Sequence, residues 1–216
     1  MSYDLHGPWE GNVDLHGKLH STKGEVVGAG IYNTEFAAKY WAEKGMPKEK
    51  IIIGIPTYGQ GWTLKDPSKT AIGSEGSGKS APSTTNPDGG TASYWEASAF
   101  TLLPLMLKAV VVDFNECVIC DYLKDGGKET IDKEGVGAYM VKGNQWYGYD
   151  TPETVKMKMD WLKQNGYGGA FIWCLDFDDF KGETCGKGPY PIMKAINDGL
   201  SGSAPLSSAV SVVLHL

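Results

Sequence analysis

Gly169-Ala170-Phe171-Ile172-Trp173-Cys174-Leu175 is an almost unbroken apolar run, and the residues before it decide how it is read. Thr151-Pro152-Glu153 is a helix cap with proline at the first helical position, Val155, Met159 and Leu162 form an apolar stripe, and Gly166 ends the helix. The run is therefore a buried strand entered from a helix. The same order occurs upstream. Asn33 caps a helix over residues 34–44 whose apolar face is Phe36, Ala37, Tyr40 and Trp41, and Gly45-Met46-Pro47 stops it. Ile51-Ile52-Ile53-Gly54-Ile55 follows, a β-branched strand of the kind buried on both faces in a parallel sheet. Ile192, Met193 and Ile196 mark a last short helix. Helix, strand, helix, strand, helix is the order of an α/β fold.

Between these units the character changes. Residues 66–90 are rich in Gly, Ser, Thr and Pro, and shorter strand-like pieces such as residues 136–141 follow. Residues 62–146 therefore read as an inserted α+β subdomain, with residues 1–61 and 147–200 as the two α/β parts. Residues 201–216 open with a Ser/Gly/Ala/Pro linker and read as a mobile tail.

The chain has 216 residues, 41% of them hydrophobic, enough for one sizeable core. A net charge of −6 without a Lys/Arg cluster argues against nucleic acid or an anionic membrane as partner and suits a neutral or cationic ligand. Seven Trp and eleven Tyr supply faces on which sugar rings can stack, although most such rings in any protein are core. No charged segment followed by an apolar one opens the chain, so no secretory signal is expected in it. Cys117-Val-Ile-Cys120 has the spacing of a zinc or redox half-site, but no second Cys pair or His pair completes it, so neither a metal nor a cofactor is expected.

Five segments in order carry a resemblance to one family: Met1-Ser2-Tyr3-Asp4-Leu5-His6-Gly7, Gly54-Ile55-Pro56-Thr57-Tyr58-Gly59, Ile119-Cys120-Asp121-Tyr122-Leu123, Gly143-Asn144-Gln145-Trp146, and the stretch from Gly168 through Trp173 to Phe180. The chain resembles glycoside hydrolase family 18, the chitinases and chitinase-like lectins. The resemblance implies the C-terminal portion, about strands six to eight, of a TIM (β/α)8 barrel. Strand six would end in the first segment, strand seven would be the second and strand eight the one bearing Trp173, with the α+β subdomain between seven and eight. Sites in such barrels lie at the C-terminal ends of the strands. It further implies an extracellular parent that binds chitin or chitooligosaccharides.

In this family the substrate's own N-acetyl oxygen attacks the anomeric carbon, so the protein supplies one carboxylic acid and a pocket for the acetamido group. By resemblance, Tyr3 donates its phenolic hydrogen to the acetamido oxygen and Asp4 accepts sugar hydroxyl hydrogens. Trp173 is the floor on which the sugar stacks, Tyr58 lines the same subsite, Trp9 a neighbouring one, and Met1 stands at the motif methionine. Cys120 and Cys185 are implied to form a disulfide. Cys174 would be a buried thiol.

Three departures limit the reading. The acid's motif, Asp-x-x-Asp-x-Asp-x-Glu, is absent; Asp176, Asp179 and Glu183 have part of its spacing, but Lys181 occupies the third aspartate position. No catalytic acid is therefore assigned. Gln60 stands where relatives often carry Arg, keeping a hydrogen-bond donor without its charge. Residues 97–118 interrupt an otherwise smooth segment from Trp95-Glu96 to Ile119, and read either as an unspliced or alternatively spliced insertion or as an extra helix. The functional expectation is a chitin-binding part of a retaining chitinase, with a non-catalytic lectin or an inactive truncated product as alternatives.

Overall fold

The computed structural model describes residues 1–83, 85–95 and 119–201 and the backbone of 213–214. The first helix, α1 (Thr34–Glu43), is capped as its sequence requires, with the Asn33 side-chain oxygen accepting from the Phe36 N–H at 2.8 Å. A single 3-10 turn leads into β1 (Ile52–Pro56). After the inserted region comes α3 (Pro152–Asn165), preceded by Thr151. There Thr151 and Thr154 each accept the other's backbone N–H with their hydroxyls, and Gly166, at φ 74°, closes the other end in the left-handed conformation that favours glycine. β8 (Gly169–Trp173) and α4 (Pro191–Ser201) complete this unit.

β1 and β8 pair in parallel, with Gly54 opposite Phe171 and Pro56 opposite Trp173. Alternation along the strands sends Ile53, Ile55, Ala170 and Ile172 to one face, where they are buried with Val155, Met159 and Leu162 of α3 and Ile192 and Ile196 of α4. The other face carries Gly54, Phe171 and Trp173. Asp178 joins α4 to the end of β8, its carboxylate accepting from the Ile192 and Met193 N–H groups in the first turn of α4. Burial outweighs these bonds and raises its pKa.

Between β1 and α3 lies an antiparallel sheet. β2 (Tyr58–Leu64) pairs on one side with β7 (Gln145–Tyr149), and β7 with β6 (Gly137–Lys142) and β5 (Lys128–Asp132). On its other side β2 pairs with β4 (Thr91–Ser93) and β3 (Gly76–Lys79), and the short α2 (Ile119–Lys124) precedes β5. The sheet therefore begins at Tyr58, before the boundary read from composition. Trp62 and Trp146 meet edge to face across β2 and β7, ring centroids 5.4 Å apart, under Val13 and Leu15. Truncating either Trp would cost about 3–5 kcal/mol.

The segment from Leu5 to Glu25 has little regular structure, and buried polar pairs fix it instead. Lys18 donates to Asp14 at 2.8 Å and lies 3.3 Å from Glu25, all three side chains almost fully buried, and His6 bonds Glu10 at 3.0 Å beside them. Lys158 of α3 donates to Asp150 and to the Gly17 carbonyl, both at 2.6 Å, tying this segment to the helix.

Two expectations are corrected. The apolar face assigned to α1 is turned outward: Phe36, Tyr40 and Trp41 are exposed, and α1 buries Thr34 and Ala38. Periodicity identifies an apolar face but not what covers it, and these three side chains stay exposed. The tail's described part is not free chain, since Val213 and Leu214 pair in parallel with Phe171 and Ile172 of β8. Residues 97–118, Cys117 among them, lie outside the described residues.

Candidate functional site

Ser2 anchors the N-terminal segment on β1, its hydroxyl donating to the Gly54 carbonyl and accepting from the Gly54 N–H, both at 3.0 Å. The Tyr3 ring is thereby laid across Gly54. A Cβ at that position would sit 2.8 Å from the Tyr3 ring and 2.9 Å from Phe171, so only glycine leaves room. Tyr3 meets Tyr58 and Phe171 edge to face at 6.1 and 6.2 Å. Its hydroxyl is buried and has no hydrogen-bond partner among the described residues. Burial, then the Asp4 and Cys174 charges, raise its pKa.

Asp4 takes a backbone φ of 57°, a region that L-residues with side chains seldom occupy. Its Oδ1 accepts from the Tyr58 hydroxyl at 2.7 Å and from Gln60 Nε2 at 2.8 Å. Tyr58 and Gln60 are two apart on β2 and so share a face. Burial alone would raise the Asp4 pKa, but the polar surroundings, His16 beside it and the hydrogen bonds from Tyr58 and Gln60, overcome it and hold the carboxyl at about 2. Tyr58 moves the opposite way, upward, through burial and then the Asp4 charge.

Trp173 stands at the same end of the sheet, 44% exposed, at the last position of β8. The strand ends there, two residues before the expected boundary. The Trp173–Cys174 peptide is cis. Thr57, next to Tyr58, receives this end: its N–H donates to the Trp173 carbonyl at 3.1 Å and its hydroxyl to the Cys174 carbonyl at 2.6 Å. Phe171 links the Trp173 face of β8 to Tyr3. Cys174 is only partly buried, not the buried strand thiol expected, and burial followed by Asp176 pushes it up to about 12.

The structure thus brings Tyr3, Asp4, Tyr58 and Gln60 into one contact set with Trp173 on the adjoining strand end. Trp9 and Met1 stand apart from that set. Trp9 is 64% exposed with its indole folded over Gly7, where a Cβ would lie 2.1 Å from the ring, and Met1 is 88% exposed. Cys120 and Cys185 form a disulfide. Asp179, of the partial acidic spacing, accepts from the Gly182 and Cys185 N–H groups and shapes the loop after β8. Among the described residues no group of three or more His, Cys, Asp or Glu could hold a metal ion, and no helix is long and apolar enough to cross a membrane.

Sequence reasoning passed over Ser2, His16 and Phe171. Gly54 carried a usable signal, an isolated glycine inside a β-branched run, which marks a close approach to the strand.

The arrangement offers a fixed carboxylate acceptor, an unused phenolic donor and an exposed indole, a set suited to a neutral polar ring. The comparisons with known proteins agree. The sequence model of Glycosyl hydrolases family 18 matches residues 1–178. An endochitinase of Brugia malayi is 65% identical over 204 residues, 94% of this chain and 36% of the relative. A crystal structure of an immunomodulatory active chitinase from Trichuris suis superposes with a TM-score of 0.77 at 39% identity, covering 93% of this chain and 49% of that one. Human YKL-39, described as a pseudo-chitinase with retained chitooligosaccharide binding properties, superposes with a TM-score of 0.78 at 36% identity, covering 94% of this chain and 50% of its own. The chain spans half or less of the length of these relatives. It belongs to glycoside hydrolase family 18.

Proposed function

We propose that this chain binds chitooligosaccharides by their acetamido groups, as the C-terminal part of a family 18 barrel in which β1 and β8 are strands seven and eight, the segment through Asp4 leaves strand six, and the antiparallel sheet is the insertion between seven and eight. The observation that carries the reading is the Tyr3 hydroxyl, buried near the Asp4 charge with no hydrogen-bond partner among the described residues. An unpaired buried hydroxyl is costly in the free protein, and an acetamido oxygen is the acceptor it lacks. Asp4, already accepting from Tyr58 and Gln60, keeps its second oxygen for a sugar hydroxyl. Trp173 provides the stacking surface.

In the family's chemistry this set positions the N-acetyl oxygen for attack on the anomeric carbon, and Tyr3 and Asp4 stabilise the charged ring that forms. The proton for the leaving group belongs to the Asp-x-x-Asp-x-Asp-x-Glu motif, which these 216 residues do not contain. Binding is therefore the activity assigned to this chain, and hydrolysis to a barrel that holds that motif. The absent motif, with the pseudo-chitinase relative, favours non-catalytic binding as the second reading. The Cys120–Cys185 disulfide supports an extracellular setting. Neither nucleic acid nor a membrane is proposed as partner.

Calorimetry of the folded chain with chitotetraose tests the reading. Saturable heat is expected, and a folded sample that gives none would overturn it.

A further inference from the structure

We propose that His16 is the positioning residue of this site, a neutral imidazole that locks Asp4 and Tyr58 into one fixed relation; the inference rests on the saccharide reading above. His16 is 1% exposed, and its two ring nitrogens bond different segments. Nδ1 lies 3.2 Å from the Asp4 N–H, and Nε2 lies 3.1 Å from the Tyr58 carbonyl oxygen. A backbone N–H can only donate and a carbonyl can only accept. Nδ1 is therefore bare and Nε2 carries the hydrogen, the one neutral tautomer that satisfies both partners. The ring also leans on the Tyr58 ring, centroids 5.0 Å apart.

This pairing acts where the site most needs it. Asp4 holds a left-handed backbone, a conformation that persists only when its surroundings impose it. The His16 bond to its N–H is one such constraint, and the Tyr58 and Gln60 bonds to its side chain are the others. With Nε2 on the Tyr58 carbonyl, the same ring sets where the Tyr58 hydroxyl meets the carboxylate.

A proton on Nδ1 would reverse the arrangement. The Asp4 N–H would lose its acceptor, and the new N–H would turn to Asp4 Oδ1, now 3.4 Å away, drawing the carboxylate from the ligand.

The test uses the whole chain as wild type, His16→Ala and His16→Asn, the last placing an amide oxygen where Nδ1 stood. In chitotetraose calorimetry at about pH 7.5, His16→Ala should bind about tenfold more weakly, with most of the loss recovered in His16→Asn. Two readouts need no sugar: nitrogen NMR should find the His16 hydrogen on Nε2, and the Asp4 carboxyl should titrate higher in His16→Ala. A hydrogen on Nδ1 would overturn the proposal, as would an Asp4 titration unchanged in His16→Ala. If wild type binds no chitotetraose, the saccharide reading fails, and the tautomer and the Asp4 titration still decide the role of His16.

Discussion

Tyr3 concentrates the account in one atom. Its hydroxyl is buried and unpaired among the described residues, so Tyr3→Phe should leave the thermal midpoint unchanged or slightly higher while weakening chitotetraose binding by about two- to tenfold, the worth of one hydrogen bond. A melt and a titration on the same sample check both. Asp4 makes a pH prediction. Its carboxyl sits at about 2 in the fold against an ordinary 3.8, lowered by neighbouring His16 and the Tyr58 and Gln60 bonds against the opposing effect of burial. A depressed folded value means that its contribution to stability is complete above the unfolded value and is lost as pH falls through about 2. The gap in thermal midpoint between wild type and Asp4→Asn should therefore be flat from about pH 5 to about pH 8 and shrink below about pH 4. Only part of this neighbourhood was legible beforehand. Tyr3, Asp4, Tyr58, Gln60 and Trp173 came from resemblance to a family, while His16 is a single histidine outside any period, and the Asp4 backbone angle leaves no trace in residue types.

At the scale of elements, legibility followed local chemistry. α3 could be read from Thr151, Pro152 and Gly166 because caps and proline act on their own neighbours, and β1 and β8 because both run through the core. α1 was placed correctly along the chain but its face was not, since the covering of a helix is decided by residues far away. Replacing Phe36 and Trp41 together, Phe36→Ser with Trp41→Ser, should shift stability by no more than about 0.5 kcal/mol per site, because both are already exposed. Denaturant unfolding measures it, and a larger loss would mean that this face is covered in solution. Gly54 behaves in the opposite sense. Gly54→Ala drives a methyl into the Tyr3 and Phe171 rings at under 3 Å, an overpacking of about 1–3 kcal/mol that should weaken sugar binding as well as stability.

For the whole molecule, the question is how the antiparallel sheet is held to the parallel one. β2 continues directly from β1 through Thr57, Lys158 bridges Asp150 to Gly17, and the Cys120–Cys185 disulfide joins α2 to the loop after β8 across 65 residues. Replacing both cysteines with alanine should cost about 2–4 kcal/mol in denaturant unfolding. That pairing was legible only by resemblance, because four cysteines alone allow several connectivities. All three ties keep the Tyr58 and Gln60 end of β2 in register with Asp4 and Trp173, which is what the proposed function needs of the fold. The central claim is that this end of the sheets recognises an acetamido group rather than sugar rings in general. Titrating the chain with chitotetraose and with cellotetraose, which has a hydroxyl in place of each acetamido group, tests it most directly. Saturable binding of chitotetraose at least about tenfold tighter than cellotetraose is predicted. Equal affinity for the two would contradict the account.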